Sequence, residues 1–309
     1  MQTLAVDLRR VTKKFGPVTA VDDLTLQIEP GEIVAFLGPN GAGKTSTIDM
    51  ILGLSHPTTG AVAVYGSKPH AAIARGQVSA VMQSAGLLKD LTIKETVRMT
   101  ATLFRHSRPV NEVLARAGIT EIGNRLVGKC SGGQQQRLRF ALALLSEPEL
   151  MLLDEPTAAM DVEGRRDFWA AIREDAERGR TVVFATHYLE EADAYADRIV
   201  LIRSGRIVAD GTTAQIKAIA NGRQVRATLP GADTRALASL PGVEDVEVRG
   251  DSVLIRGKDS DGVARYLLNN TQARDLEITA QNLEDAFVAL TSGDANCNMD
   301  STILEGRTR

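Results

Sequence analysis

The segment Gly38-Pro39-Asn40-Gly41-Ala42-Gly43-Lys44-Thr45 constrains this chain more than any other. It satisfies the pattern G-x-x-x-x-G-K-[ST] at every fixed position. An apolar run, Ile33-Val34-Ala35-Phe36-Leu37, precedes it, and a helical pattern follows from Thr45 and Ser46 to Leu52. Glycines let a backbone turn until several N–H groups face one anion, and the following helix adds its positive N-terminus. The pattern therefore predicts a strand, a phosphate-binding loop and a helix in succession. Lys44 is expected to reach β- and γ-phosphates, and the Thr45 hydroxyl to ligate Mg²⁺. A plain glycine turn with a surface lysine would need neither the strand nor the helix.

A chain of 309 residues has room for one large or two smaller domains. A net charge of −3 gives no overall attraction to nucleic acid or anionic lipid. The two cysteines, Cys130 and Cys297, lie far apart without metal-ligand spacing. That argues against a disulfide framework or a zinc site and fits a reducing cytosol. Met1-Gln2-Thr3-Leu4 does not begin a signal peptide. The longest apolar runs, such as Phe140 to Leu145, fall far short of the ~20 residues a spanning helix needs. Work at a membrane would require a partner.

Residues 4–30 alternate as β-structure in three stretches, 4–8, 18–21 and 24–28, ending at the Pro30-Gly31 turn. Further strands are expected at 33–37, 61–65, 78–82, 149–153 and 181–185. A helical pattern covers 86–128, with polar turns at Arg108-Pro109 and near Gly118 and Gly123. Ser131 suits the N-cap of a helix over 134–146, and 162–178 reads as a helix stopped by Gly179. Strands alternating with helices imply a mostly parallel sheet. A second unit starts after Asn221-Gly222: strand 224–229, helix 233–240, strands 243–249 and 252–256, helix 261–270, strand 275–279 and a closing helix 282–291. Its βαββαβ order suggests a small ferredoxin-like domain over 223–293. Residues 294–309 read as a disordered tail.

Downstream of the phosphate loop come Lys129-Cys130-Ser131-Gly132-Gly133-Gln134-Gln135-Gln136-Arg137, then Leu150-Met151-Leu152-Leu153-Asp154-Glu155-Pro156-Thr157, then Ala185-Thr186-His187. In this order and spacing the set resembles the nucleotide-binding subunit of ATP-binding-cassette (ABC) transporters over residues 1 to about 217. The C-terminal unit, ending Asn282-Leu283-Glu284-Asp285-Ala286-Phe287, is similar to the small domain of exporter ATPases of the daunorubicin/doxorubicin-resistance group. The resemblance implies an α/β phosphate-loop NTPase fold with a mixed core sheet, an antiparallel β subdomain and a helical subdomain at about 86–143. The ATP-binding domain would span 1–220, followed by the small α+β domain.

The resemblance also implies roles. ATP and Mg²⁺ would be held by the loop from Gly38 to Lys44 with Thr45 and Ser46. Phe15 aligns with the aromatic that stacks on adenine; by itself it also reads as a core aromatic. Asp154 would hold Mg²⁺ with Thr45, and Glu155 would polarise the attacking water. Two acids at a strand end can otherwise form a solvated turn. Gln83 resembles the glutamine that senses Mg²⁺ and relays to the permease, although a lone Gln at a strand end is usually surface. His187 resembles the switch histidine at the γ-phosphate, although a lone His is more often structural. Ser131 can cap a helix whose glycines, Gly132 and Gly133, let amides approach an anion, with Gln134 beside them. In the family this signature completes the site of a second copy in a head-to-tail homodimer, and Asp161 lies in the loop linking the two sites.

Two departures stand out: Cys130 where the family has Leu, and Ala158-Ala159-Met160 in place of a Ser/Gly-rich loop with Leu. Neither removes a reacting group. The partner implied is a separate integral membrane permease, with this chain peripheral at the cytoplasmic face. Its docking surface would lie beside Gln83 and 86–128, where Leu87, Leu88 and Leu91 read equally as groove or subdomain core. An exporter of drugs, antibiotics or lipids is expected. An importer ATPase with a regulatory C-terminal domain and a soluble ABC ATPase are the rival readings. The single cassette, with neither coiled-coil insertion nor basic stripe, disfavours the soluble form.

Overall fold

The computed structural model describes residues 3–82, 86–219 and 223–280, with Leu283 and Phe287. Gln83, most of the expected helix 282–291 and the segment 294–309 lie outside the described residues. The chain divides into two compact units, Met1–Ile216 and Lys217–Arg309.

In the first unit, β1 (Val6–Phe15) and β2 (Val18–Ile28) form a hairpin. The expected stretches 18–21 and 24–28 run together as one strand. β3 (Ile33–Leu37) is buried along its whole length and leads through the phosphate loop into α1 (Lys44–Ile51). β4 (Thr59–Val64) returns to pair with β1, giving an antiparallel sheet in the order β2-β1-β4. α2 (Pro69–Ala74) and β5 (Val78–Val81) follow.

The region expected to be helical over 86–128 is less so than its pattern suggests. Its helices are α3 (Ile93–Ala101) and α4 (Val110–Arg116), with single 3₁₀ turns at Thr120–Ile122 and Val127–Lys129. Thr92 starts α3 in a capping box with Glu95, so 86–91 stay outside the helix. Pro109 begins α4, and Gly118, at φ +65°, follows its end.

The remaining elements of the unit are α5 (Gly132–Leu144), β6 (Leu150–Asp154), α6 (Val162–Glu177), β7 (Thr181–Thr186), α7 (Leu189–Tyr195), β8 (Arg198–Arg203), β9 (Arg206–Gly211) and α8 (Thr213–Ile219), the last crossing into the second unit. The sequence pattern does not announce α2, α7, β8, β9 or α8. Six strands form the core sheet in the order β5-β6-β7-β3-β8-β9, parallel except for the β8–β9 hairpin. This is the mixed sheet expected of the fold class.

Register within that sheet positions the site. Leu37 is level with Thr186 across β3 and β7, and Asp154 with Ala185 across β6 and β7. The carboxyl ends of β3, β6 and β7 therefore meet on one rim, where open α/β sheets bind ligands. Ring contacts connect α5 to this sheet. Phe140 on α5 meets Phe168 on α6 at 5.0 Å, and the neighbouring Trp169 meets Phe184 on β7 at 4.6 Å. A buried carboxylate adds a second tie: Asp175 on α6 pairs with Arg116 from α4 and with Arg180 just before β7.

The second unit runs β10 (Arg223–Thr228), α9 (Thr234–Ala238), β11 (Val243–Arg249), β12 (Ser252–Gly257), α10 (Ser260–Asn270) and β13 (Arg274–Ala280). Its strands lie in the order β11-β12-β10-β13, every neighbouring pair antiparallel. Val225, Ala227, Val253 and Ile255 from the sheet bury against Leu237, Val263 and Leu267 from the helices. Asp233 and Asp259 cap the two helices.

Candidate nucleotide site

The phosphate loop leaves β3 at buried Gly38 and exposes Pro39, Asn40 and Gly41 at its tip. It re-enters through Ala42 and Gly43, which caps α1 at φ +105°. A Cβ built on Gly43 would lie 2.4 Å from the Ala20 carbonyl oxygen, so both backbone angle and space demand glycine there. Lys44 is only 7% exposed and turns back along the loop. Its Nζ donates to the carbonyls of Gly38 at 2.6 Å and Pro39 at 3.1 Å. Burial pushes the ammonium below its ordinary range, while the charges of Glu155 and Asp154 oppose that shift. A cation under-solvated in this way is poised for phosphate oxygens. Ser46, in the first turn of α1, is half-buried.

Asp154 ends β6 and is 6% exposed. Thr45 Oγ1 donates to its Oδ2 at 3.3 Å. Burial pushes the Asp154 carboxyl up, the Thr45 hydrogen bond opposes this, and the charge of neighbouring Glu155 adds to it. A hydroxyl beside an under-compensated carboxylate is the oxygen donor set that suits a hard divalent cation such as Mg²⁺. Among the described residues no group of three or more His, Cys, Asp or Glu side chains could hold a metal unaided.

Glu155 takes φ +50°, a left-handed backbone uncommon for a non-glycine residue. Its N–H donates to the Ala185 carbonyl at 2.9 Å, which ties the end of β6 to the end of β7. His187 Nδ1 stands 2.7 Å from Glu155 Oε2, with the carboxylate mostly covered and the imidazole half exposed. Asp154 and Glu155 therefore do not form a solvated turn. Lys44, Thr45, Asp154, Glu155 and His187 converge on the rim where β3, β6 and β7 end.

Phe15 closes β1 and is 52% exposed, so it is not a core aromatic. Lys13 Nζ lies 4.8 Å from the centroid of its ring.

Ser131, Gly132, Gly133, Gln134 and Asp161 form a second group. Ser131 caps α5 in a capping box: its Oγ accepts from Gln134 N–H, and Gln134 Oε1 accepts from Ser131 N–H. Arg125 also donates to Gln134 Oε1, at 3.1 Å, a contact absent from the sequence reading. Glycine at 132 and 133 has a steric cause, because added Cβ atoms would stand 3.0 Å from the Ala159 side chain and carbonyl oxygen respectively. The Ala158–Met160 loop thus packs on the first turn of α5. Asp161 caps α6, its Oδ1 accepting from Gly164 N–H at 2.7 Å. A cavity of about 280 Å³ is lined by Ser131, Gly133, Gln134, Asp161 and neighbouring residues. Cys130 is buried, and its thiol donates to the Leu126 carbonyl at 3.4 Å. Sequence reasoning also passed over Glu191, which lies buried beside Thr157 and Thr186. No spacing pattern marks such a contact.

Residues 21–158 match the family described as ABC transporter. A Nod factor export ATP-binding protein I from Paraburkholderia xenovorans (strain LB400) is 33% identical over 300 residues, 94% of this chain and 98% of that protein. The chain belongs to the ABC transporter ATP-binding family. A protein of the same name from Rhizobium johnstonii is 33% identical over 94% of this chain and 96% of its own. Among solved structures, an ATP-binding subunit of an ABC transporter aligns with a TM-score of 0.64 at 27% identity, covering 70% of this chain and 92% of that one. A dimeric ATP-binding cassette in a post-hydrolysis state, bound to ADP and Pi, aligns with a TM-score of 0.62 at 29% identity, covering 67% of this chain and 98% of its own. As a member of the family the chain is an ATPase that uses ATP with Mg²⁺. ABC ATPases dimerise and partner with membrane permeases.

Because Gly43 is held by both angle and space, Gly43→Ala is expected to strain the loop by about 1–3 kcal/mol and abolish nucleotide binding. Thermal unfolding with and without ATP reads both effects. An unchanged ATP-induced stabilisation would contradict the assignment.

Proposed function

We propose that this chain is the ATP-hydrolysing subunit of an ABC exporter, working as a homodimer at the cytoplasmic face of a membrane beneath a separate permease. The observation that carries the chemistry is the convergence of Lys44, Thr45, Asp154, Glu155 and His187 on one rim of the core sheet. Lys44 and the amides of the phosphate loop bind the β- and γ-phosphates. Thr45 and Asp154 would hold Mg²⁺, which would neutralise charge on the phosphates. Glu155 accepts a hydrogen bond from the attacking water and polarises it. His187 faces the γ-phosphate, and its contact with Glu155 orients both side chains. Gln83 serves as the Mg²⁺-sensing relay, and Phe15, exposed at the end of β1, offers its face to adenine.

Catalysis of this kind is mostly positioning and charge stabilisation. The second group, Ser131 to Gln134 with Asp161, completes the site of the opposite copy. Closure then depends on direct contacts with ATP, which is the differential affinity a switch requires.

Export is favoured over import because the relatives that span 94% of the chain carry export in their names. Those names specify Nod factor. For this chain we propose the broader class of drugs, antibiotics or lipids. We assign ATP binding to 1–220 and a role in dimerisation or regulation to 223–293. The strand order β11-β12-β10-β13 around two helices supports a ferredoxin-like fold for the latter. Among the described residues no helix is long and apolar enough to cross a membrane; in this proposal a separate permease supplies the path. Leu88 is 56% exposed, whereas Leu87 and Leu91 are half-buried, which supports Leu88 over the other two as a docking contact.

Glu155→Gln is expected to retain ATP binding and lose turnover about 100-fold or more. Lys44→Ala is expected to lose both, at about 1 kcal/mol of stability for the hydrogen bonds to the loop carbonyls. Steady-state hydrolysis and ATP binding by the purified full chain read these effects, and wild-type turnover in either variant would refute its assigned role. Leu88→Glu should reduce recruitment to membranes by a co-expressed permease and spare ATP binding; undiminished recruitment would remove Leu88 from the docking surface.

A further inference from the structure

Glu191 lies in the first turn of α7, yet only 2% of it reaches solvent. A buried carboxylate is costly unless donors meet its oxygens. Here a threonine meets each one. Thr157 Oγ1 donates to Oε1, and Thr186 Oγ1 donates to Oε2 at 3.0 Å. Both threonines are buried. Arg165 on α6 brings its Nε to 3.5 Å from Oε1, and its guanidinium lies 5.1 Å from the centre of the Tyr188 ring.

These partners belong to the segments that carry the reacting groups. Thr157 follows Glu155 by two residues, and Thr186 immediately precedes His187. Thr186 Oγ1 also accepts from Tyr188 N–H at 3.1 Å, which fixes the turn through His187. Arg165 N–H donates to the Asp161 carbonyl at 2.9 Å in the first turn of α6. A single carboxylate thus joins the segment that carries Glu155 to the one that carries His187. Glu155 is also held in a left-handed backbone that persists only where its surroundings over-determine it.

We propose that Glu191 is a positioning residue for ATP hydrolysis: it clamps the segment after β6 to the turn after β7 and so holds Glu155 and His187 in working geometry. The proposal rests on the roles given above to Glu155 and His187. Glutamine at 191 would keep one acceptor oxygen but lose the charge that faces Arg165, and alanine would lose every contact. The ground-state nucleotide is held by the phosphate loop and Phe15. Loss of the clamp is therefore read in kcat and not in KM.

The test is steady-state ATP turnover by the full chain in Glu191→Ala, Glu191→Gln, Thr157→Val and Glu155→Gln. Glu191→Ala is expected to lower kcat by about 10-fold or more, with KM for ATP within about twofold, since small misplacements of reacting groups cost rates of this order. Glu191→Gln should fall between wild type and Glu191→Ala. Thr157→Val removes one hydroxyl at nearly constant shape and should lower kcat in the same selective way. If Glu191→Ala does not fold, Thr157→Val carries the test. Wild-type kcat in Thr157→Val or Glu191→Ala beside an inactive Glu155→Gln would overturn the clamp alone, as would a rise in KM that matches the loss of kcat. Wild-type turnover in Glu155→Gln would remove the role of Glu155, and the clamp with it.

Discussion

Parallel register in the core sheet is the constraint on which the rest of the site depends. β3, β7 and β6 lie side by side, with Leu37 level with Thr186 and Asp154 level with Ala185. Each strand therefore ends on one element of the proposed site: the phosphate loop after Leu37, the acidic pair at Asp154 and Glu155, and His187 after Thr186. A shift of one residue in any pairing would turn its strand-end side chains to the other face.

The site stores unfavourable terms that a ligand can relieve. Lys44 is buried against carbonyls, Asp154 is buried with one hydroxyl partner, and Glu155 sits in a left-handed backbone. Phosphate oxygens would satisfy the lysine, and a divalent cation would satisfy the aspartate. The packing of Ala158–Met160 on the glycines of α5 carries the consequence outward. The loop that follows Glu155 and Pro156 also supports the first turn of the signature helix. The packing thus joins the segment after the acidic pair to the glycine-rich start of α5.

Much of this was legible in the sequence because the chemistry is local. The phosphate loop, the acidic pair and His187 each occupy a few consecutive residues at strand ends, and the cap of α5 is written in Ser131 and Gln134. The βαββαβ order of the second unit followed from alternation and turn residues. Contacts that depend on distant partners were not legible. Glu191 meets Thr157 across 34 positions, and nothing in Leu189-Glu190-Glu191 says which glutamate turns inward. The exposure of Phe15 depends on how β1 is packed, which alternation alone left open. The β8–β9 hairpin had a readable signal. Ser204 and Gly205 both take positive φ between two apolar runs, the geometry of a two-residue hairpin turn. In 86–128 the turns at Pro109 and Gly118 were legible, whereas the start of α3 at Thr92, which leaves 86–91 outside the helix, was not.

Whether ATP itself joins two copies is the claim on which the functional account turns. Light scattering on the Glu155→Gln full chain, with ATP and Mg²⁺ and then without nucleotide, tests it most directly. ATP-driven pairing predicts a mass twice that of one chain with ATP–Mg²⁺ and the mass of one chain without it. A mass that does not change with nucleotide while ATP is demonstrably bound would contradict the account.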